Sequence, residues 1–404
     1  MQRLRYVIRI IIGLVFIFSG AVKAIDPLGS AYKFHDYFMA FNMGFLDWAT
    51  LPLSIILSAA EFIAGFAVLT GLRQKSGIWL VMIFMVVFTP LTLILALTNP
   101  VSDCGCFGDA IHLTNWQTFG KNIIIITLAI ILFIGRKHIK HLFISSVEWI
   151  ITAIAIIFFI LFSLGNLKYL PIIDFLPYKT GVKIADKMVI PEGVESDEYM
   201  TTFIYEKEGI KKEFDLTNYP ASDTTWMFIE QRSALIKKGY QPPIHDFSIT
   251  SINGEDITQK VLLYSGYSLF MITKKLEEAD NNRLKKGFDL GNYCEEQGID
   301  FYILSASGSN QMISIDNGPS FCSVDETTLK TILRANPGYL LMKDGTILGK
   351  WSWSTVPDME WFNNLTKAEG TETENSNRRI FVFFTIILAF SYVLLILWLL
   401  IRKK

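Results

Sequence analysis

The chain reads GIWLVMIFMVVFTPLTLILAL at residues 77–97, DCGCFG at 103–108 and WQTFGKNIIIITLAIILFI at 116–134. Each outer stretch has close to the ~20 apolar residues that cross a bilayer core as a helix. The central segment therefore places two thiols, Cys104 and Cys106, in a short loop at a membrane surface. The other two cysteines, Cys294 and Cys322, lie in a separate polar region. This distribution indicates thiol chemistry rather than a disulfide framework.

Six such apolar stretches explain why a chain of 404 residues is 51% hydrophobic with a positive mean hydropathy. We predict membrane-spanning helices at residues 6–25, 51–72, 77–97, 116–134, 147–164 and 380–401. The first has the basic start and apolar centre of a secretory signal, yet no small-residue cleavage site precedes a mature soluble region. It is therefore predicted to be a membrane anchor.

Lysine and arginine in the short loops predict how these spans are oriented. If the spans alternate, one side of the membrane carries all the basic flanks: Arg3, Arg5, Arg9, Arg73, Lys75, Arg136, Lys137, Lys140, Arg402, Lys403 and Lys404. That side is the cytoplasm. We therefore expect residues 26–50, the cysteine loop and residues 166–379 to face outward, into the periplasm of a bacterial inner membrane. Asp26 then sits at a bilayer edge, where a charge costs little.

The outward region between the fifth and sixth spans is long enough for a domain with its own core. Its first part is predicted to form a β-hairpin at residues 200–206 and 210–216, followed by a helix. The apolar positions of that helix are Trp226, Phe228, Ile229 and Leu235.

The second part of this region has a sharper pattern of alternating strands and helices. We predict a hairpin about Asn253-Gly254 within 246–257, a strand at 261–272, a helix at 274–297, a strand at 300–305, a helix from a capping box at 323–326 to residue 335, and strands at 338–342 and 346–351. Pro337 stands directly before the last hairpin.

This order of elements resembles the thioredoxin fold, in particular its membrane-tethered, TlpA-like and peroxiredoxin-like branch. The resemblance covers residues 243–363 and rests on PIHDF at 243–247, Asp325, NPGY at 336–339 and KDG at 343–345. It implies that Pro337 is a cis-proline beside the active site, where Asn336 and Thr273 would contribute to binding.

The chain departs from that family at the active-site dithiol. The family's Cys-x-x-Cys belongs at the turn after the first buried strand, and here the turn reads Thr273-Lys274-Lys275-Leu276. Cys294 is predicted to be a small buried residue near a helix end. Cys322 is predicted in the loop before the second helix, either as an incidental thiol or as an accessible thiol on the functional face. We do not expect these two to pair, because a disulfide needs Cα atoms within about 7 Å.

The first four spans and their cysteine loop resemble the DoxX family and, within it, the MauE-type methylamine-utilisation membrane proteins. The resembling residues are Gly13, Phe16, Ser19, Gly20, Lys23, Asp26, Pro27, Glu61, Gly65, Gly71 and the CGCFG segment at 104–108. The resemblance implies a four-helix bundle acting in electron transfer or disulfide formation outside the cytoplasm, with an architecture similar to vitamin K epoxide reductase.

Cys104 and Cys106 leave three kinds of chemistry open. A bond across one intervening residue closes a small ring, which favours an easily reduced, redox-active disulfide. The alternatives are a fixed bond that pins the loop and a metal site, although His112 alone would leave a metal short of ligands. Glu61, near the middle of the second span, is a candidate proton relay in a quinone-linked enzyme or a structural partner of Lys23.

We expect a membrane α-helical bundle, a four-helix DoxX-like core plus two further spans, joined to an α/β thioredoxin-like soluble domain. The divisions are 1–140 for the four-helix bundle, 141–166 for the fifth span, 167–240 for the hairpin and helix subdomain, 241–366 for the thioredoxin-like domain, and 367–404 for a linker and the last span. A formal net charge of −1 without a basic stripe outside the membrane flanks gives no reason to expect nucleic acid.

Two functions remain open at this point. In the first, the protein is an envelope disulfide oxidoreductase in which Cys104 and Cys106 exchange electrons with a periplasmic or envelope protein and with a quinone in the lipid. In the second, it is a non-catalytic chaperone or assembly subunit that binds extended polypeptide beside Pro337. The absence of Cys-x-x-Cys favours the second function, and the Cys-Gly-Cys loop favours the first.

Overall fold

The computed structural model describes residues 2–101, 103–136, 145–195, 198–207, 209–215, 218–220, 223, 225–237, 239–308 and 320–367. The predicted sixth span at 380–401 lies outside the described residues, as do the basic residues Lys137, Lys140, Arg402, Lys403 and Lys404.

The membrane domain is built of helices in chain order. They are α1 (Gln2–Ile25), α2 (Pro27–Ala40), α3 (Thr50–Thr70), α4 (Gln74–Thr98), α5 (Asn115–Gly135) and α6 (Ser145–Tyr169). Five of these described helices, all except α2, are long and apolar enough to span a membrane. They correspond to the first five predicted spans, which are thereby confirmed. The shorter α2 lies between the first two spans and was not predicted.

Glycines bring the backbones of α1 and α3 into contact. A Cβ added at Gly65 would lie 2.6 Å from the Ile17 nitrogen and 2.7 Å from the Gly13 carbonyl oxygen. Small residues allow this close approach between helices in a membrane. The consequence for the site is that polar side chains of α1 meet Glu61 of α3 directly.

Gly65→Ala is expected to destabilise the protein by roughly 1–3 kcal/mol, because the added methyl group pushes α1 away from α3. The matched control is Gly120→Ala in α5, where an added Cβ meets nothing within 4 Å. Alanine is the better helix former there, so the control should be neutral or slightly more stable. Thermal unfolding in detergent compares the two variants, and equal shifts in Tm would contradict the close packing.

A small antiparallel sheet follows α6 and the short helix α7 (Ile184–Met188). Its strands are β1 (Glu198–Lys207), β2 (Ile210–Asp215) and β3 (Met227–Lys237), in the order β2-β1-β3. The predicted hairpin is confirmed.

The helix predicted after this hairpin is wrong. Phe228, Ile229 and Leu235 belong to β3, and Trp226 directly precedes it. An isolated two-stranded hairpin is marginally stable, and β3 gives β1 a second partner. The ring of Phe228 packs on Tyr205 of β1 at 5.6 Å. Pairing with β1 therefore outweighs the helical spacing of the apolar residues.

The second sheet carries the larger core. Its elements are β4 (Thr250–Ser251), α8 (Thr258–Leu262), β5 (Tyr267–Thr273), α9 (Asn281–Glu296), β6 (Asp300–Ser305), β7 (Ser320–Ser323), α10 (Glu326–Ile332), β8 (Gly338–Lys343), β9 (Thr346–Ser352) and α11 (Met359–Lys367). The strand order is β4-β7-β6-β5-β8-β9. β5 and β6 are parallel, β8 runs antiparallel to β5, and β9 runs antiparallel to β8. This is the thioredoxin arrangement, so the predicted combination of an α-helical membrane region and an α/β thioredoxin-like domain is confirmed.

Helices cover both faces of this sheet. α9 and α11 pack on one face, and α8 and α10 pack on the other. The hairpin predicted at 246–257 keeps its turn, with Gly254 at φ +84°. Its pairing is reduced to the short β4 and one bridge between Thr250 and Asp256.

Several predicted boundaries are wrong in this sheet. The strand predicted from residue 261 begins at Tyr267, because Val261 belongs to α8. The helix predicted from residue 274 begins at Asn281, where the Asp280 side chain accepts from the Arg283 nitrogen at 3.0 Å.

The predicted capping box at 323–326 is also displaced. Asp325, not Ser323, is the N-cap of α10, since its carboxylate accepts from the nitrogens of Thr327 and Thr328. Ser323 is the last residue of β7, where it pairs with Thr250. The helix ends at Ile332 rather than at residue 335.

The segment that leads from α6 into the soluble domain is part of that domain's core. Leu170 and Tyr178 are buried within it, and the Lys350 amine of β9 lies 2.6 Å from an Asp174 carboxylate oxygen. We call residues 170–178 the anchor segment. It fixes the soluble domain to the end of α6 through buried contacts.

Candidate functional site

The cysteine loop joins α4 to α5 at one end of the helix bundle. Cys104 and Cys106 form a disulfide in the structure, with Cα atoms 5.5 Å apart. Gly105 between them adopts φ +62°, a conformation that glycine tolerates best. The redox activity of the Cys104–Cys106 disulfide stays a prediction.

Helix α2 holds this loop from one side. The Tyr37 hydroxyl donates to the Cys104 carbonyl at 2.7 Å, and the Lys33 amine lies 2.9 Å from an Asp103 carboxylate oxygen. A Cβ at Gly105 would come within 2.8 Å of the Lys33 side chain. The loop and α2 therefore fit against each other without room for a larger residue.

Glu61 lies on the other side of the loop and is only 7% exposed. The Lys23 amine lies 2.8 Å from both of its carboxylate oxygens, so its predicted partnership with Lys23 is present in the structure. The Ser19 hydroxyl lies 2.8 Å from Glu61 Oε2 and 2.8 Å from the Cys106 carbonyl oxygen. The same Ser19 hydroxyl is therefore within hydrogen-bond distance of both oxygens and connects the carboxylate to the backbone of the disulfide loop.

A cleft of about 100 Å³ reaches from these groups into the bundle. Its apolar wall includes Phe16, Phe84, Phe88, Leu91 and Ile125, and its polar end includes Ser19, Lys23, Glu61, Lys121, Asn122 and the disulfide loop. The Lys121 amine lies 4.3 Å from the ring centre of Phe107. The sequence analysis missed Lys121, because a lone lysine near the start of a span is commonly a snorkelling residue.

The predicted binding residues of the soluble domain meet at one edge of its sheet. The Asn336-Pro337 bond is cis, as predicted. The Asn336 side-chain oxygen accepts from the Thr273 hydroxyl at 2.9 Å and from the Lys274 nitrogen at 3.3 Å. This edge faces the membrane domain.

Lys274 stands at the turn where the thioredoxin family carries its dithiol, and it is 9% exposed. Its amine lies 4.6 Å from the ring centre of Tyr32 in α2. Burial away from water, followed by repulsion from Arg334 and Lys330, lowers the pKa of Lys274 from 10.5 to about 7.

Arg334 connects the two domains. Its Nε lies 2.8 Å from an Asp26 carboxylate oxygen, and its Nη2 lies 2.6 Å from Asp109. Asp26 is 6% exposed, so it is not a solvated charge at the bilayer edge as expected. Nothing local in the sequence signals this contact, because its partners are 308 positions apart.

The remaining cysteines take no part in the site. Cys322 lies in β7 rather than in a loop and is 1% exposed. Burial raises its pKa to about 11, so the prediction of an accessible thiol on the functional face is wrong. Cys294 is buried as predicted, and neither forms a disulfide.

Comparison with known proteins assigns the membrane domain. Residues 1–135 match the family model described as methylamine utilisation protein MauE. Residues 1–135 are therefore a MauE-family membrane domain, as the resemblance implied. The wider DoxX grouping stays a prediction. Residues 199–238, which cover the small sheet, match a domain of unknown function, DUF8463.

No curated protein matches the sequence. Among solved structures, one of BsSco, a member of the Sco family of cytochrome c oxidase assembly proteins described as having a disulfide switch, is similar to part of the chain. The similarity covers 31% of this chain and 91% of that one, with 13% sequence identity and a TM-score of 0.25.

Proposed function

We propose that this protein is a membrane thiol–disulfide oxidoreductase whose Cys104–Cys106 pair exchanges electrons with a partner protein and with a quinone. One observation carries the proposal: the disulfide, the Lys23–Glu61 pair and the apolar walls line the same cleft. A redox disulfide coupled to the membrane needs these three parts together.

Exchange with a partner follows the chemistry of thiols. A thiolate of the partner attacks one sulfur of the pair, and the S–S bond breaks as a mixed disulfide forms. The partner's second thiolate then displaces the remaining sulfur. The partner loses two electrons and gains a disulfide, while Cys104 and Cys106 become a dithiol by gaining two electrons and two protons. In the opposite direction the same steps run in reverse.

The lining of the cleft suits a quinone. Ligand pockets commonly have mostly apolar walls and a few polar groups that fix the orientation of the ligand. Phe16, Phe84 and Phe88 would hold an apolar ring, and Lys121 and Asn122 offer hydrogen-bond donors at the polar end. A quinone bound there would supply an acceptor for two electrons and two protons.

Ser19 and Glu61 would handle protons beside the disulfide. The Ser19 hydroxyl contacts both the Glu61 carboxylate and the Cys106 carbonyl, and reduction of the pair consumes two protons. A proton held between these two side chains is therefore close to the loop where thiols form. Lys23 stabilises the carboxylate when that proton leaves.

Orientation and partners form part of the proposal. Arg5 lies against Gly135, and Arg73 stacks on Trp149. Both basic side chains therefore lie at the end of the bundle away from Asp26 and Asp109. This supports a protein of the bacterial inner membrane, with lipid around the spans and the soluble domain in the periplasm, where an envelope protein would be its partner.

The alternative function, a chaperone that binds polypeptide at the cis-proline edge, is less well supported. Lys274 at that edge packs on Tyr32, and Arg334 nearby binds Asp26. The chain's own α2 therefore takes up the space that a foreign peptide would need.

Cys106→Ser is expected to abolish quinone reduction by a dithiol peptide, with at least a ~100-fold loss, because no disulfide can form to pass electrons on. Full-length protein in lipid nanodiscs, a short-chain quinone and a reduced peptide are the components, and absorbance follows the quinone. Cys104→Ser should behave alike. Cys322→Ala, at a buried thiol, is the matched control and should keep its activity. Quinone reduction that survives Cys106→Ser would refute the proposed function.

A further inference from the structure

Helix α2 lies between the cleft and the soluble domain. One of its faces lines the cleft, through Ser30, Lys33, Phe34 and Tyr37. These positions repeat at intervals of three and four, as one face of a helix does. The opposite face carries Tyr32, whose ring contacts Lys274 of the soluble domain. Whatever holds this outer face also holds the inner face over the disulfide.

Arg334 makes two ion pairs between the soluble domain and the membrane domain. Asp26 is the N-cap of α2, where one carboxylate oxygen accepts from the Gly29 nitrogen at 2.8 Å and the other binds Arg334. Asp109 follows the disulfide loop directly and binds the same guanidinium. One side chain of the soluble domain therefore joins the start of α2 to the end of the loop that carries Cys104 and Cys106.

The surrounding contacts include both favourable and unfavourable ones, the favourable ones being cations over an aromatic ring. Three cations approach the Tyr32 ring, namely Lys274 at 4.6 Å, Lys330 at 5.0 Å and Arg334 at 5.2 Å. The Tyr32 hydroxyl is buried with no hydrogen-bond partner among the residues that the structure describes. Separation of the domains would return this hydroxyl and the Lys274 amine to water. The docked contact thus combines the two ion pairs of Arg334 and the cation contacts on Tyr32 with the desolvation of the Tyr32 hydroxyl and the Lys274 amine, so favourable and unfavourable contributions together set the docking equilibrium.

We infer that Arg334 is a positioning residue for the disulfide: by binding Asp26 and Asp109 it holds α2 closed over Cys104 and Cys106 and so limits the access of external thiols. The exchange itself rests on the proposed function. The positioning role concerns access alone and can be measured without a quinone.

The test is the rate at which dithiothreitol reduces Cys104–Cys106 in the full-length protein in nanodiscs at fixed pH. Samples are quenched with an alkylating reagent, and mass spectrometry counts the alkylated thiols. Arg334→Met is expected to raise this rate at least tenfold, and Arg334→Lys, which keeps the charge, should restore part of the protection. The matched control is Arg283→Met, since Arg283 stacks on Trp353 away from α2 and its loss should leave the rate unchanged.

A second variant moves the rate in the opposite direction. Tyr32→Phe keeps the ring and removes the hydroxyl that lacks a partner, so docking should tighten and reduction should slow severalfold. Partial unfolding would expose the disulfide and speed its reduction, so a slower rate cannot result from unfolding. Alkylation of the buried Cys294 and Cys322 in the same samples reports any global opening.

The outcomes separate this inference from the proposed function. Equal rates for wild type and Arg334→Met, faster reduction in Tyr32→Phe, or a faster rate accompanied by alkylation of Cys294 would each overturn the positioning role. An Arg334 effect on access in a protein that cannot reduce quinone would support the positioning role while refuting the proposed function.

Discussion

Lys23→Met is expected to lower the free energy of unfolding by about 3–5 kcal/mol, because it leaves the buried Glu61 carboxylate without its partner. The Lys23 amine lies 2.8 Å from Glu61, and both side chains are largely buried between α1 and α3. Thermal unfolding in detergent measures the loss. The matched control is Lys183→Met, whose pair with Asp344 is exposed to solvent and should therefore change the unfolding temperature little.

The double variant Lys23→Met/Glu61→Met separates stability from activity. Replacing a whole buried ion pair by apolar residues is often neutral, so most of the lost stability should return. Quinone reduction should nevertheless fall by ~10²–10⁴-fold, the usual contribution of a positioned proton carrier. A stable double variant with full activity would leave Glu61 with a structural role only.

Raising the pH from about 7 to 10.5 is expected to tighten the contact between the soluble domain and α2. In the docked structure, burial and repulsion from Arg334 and Lys330 lower the pKa of Lys274 from 10.5 to about 7, and return of the amine to water on undocking raises it again toward 10.5. In that window the undocked lysine binds a proton and the docked lysine does not, so docking weakens as the pH falls. The slope is at most about 1.4 kcal/mol per pH unit, and this group adds no further effect below pH ~7.

The charges that face Lys274 come from two sides. Lys330 of α10 and Arg334 just after that helix oppose its protonation, while Asp26 and Glu326 favour it. Lys274→Met should therefore give tighter docking with a flattened pH profile.

Energy transfer between dyes at Asn42 and Lys286 reports the open fraction as the pH changes. The matched control is Lys275→Met, because Lys275 is exposed beside Lys274 and pairs with Glu278. It should keep the wild-type profile. A contact that tightens as the pH falls would contradict the assignment to Lys274.

Local patterns in the sequence were sufficient for much of this fold. Hydropathy located the five described spans, because a continuous run of about twenty apolar residues is typical of a membrane-spanning helix. The Asp344-Gly345 turn and the buried runs beside it predicted β8 and β9 within a residue or two. The pairing of Lys23 with Glu61 could be anticipated because a charge inside a membrane requires a partner.

Contacts between distant segments could not be predicted in this way. Asp26 resembles any carboxylate at a bilayer edge until Arg334 is placed beside it. Likewise, β3 has the spacing of a helix, and only its pairing with β1 decides otherwise. Cys322 was misplaced because the loop that was expected to hold it is a strand, and that strand is recognised by its partners β6 and β4 rather than by its own residues.

The anchor segment sets the kinetics of reclosure. Because Leu170 and Tyr178 stay buried in the soluble domain, that domain remains attached to the end of α6 even when its contact with α2 opens. Rebinding is then a unimolecular event, and short connections of this kind give effective concentrations in the millimolar range. Dilution of the protein would leave the open fraction unchanged, and a detached copy of the domain added at micromolar concentration would compete poorly for α2.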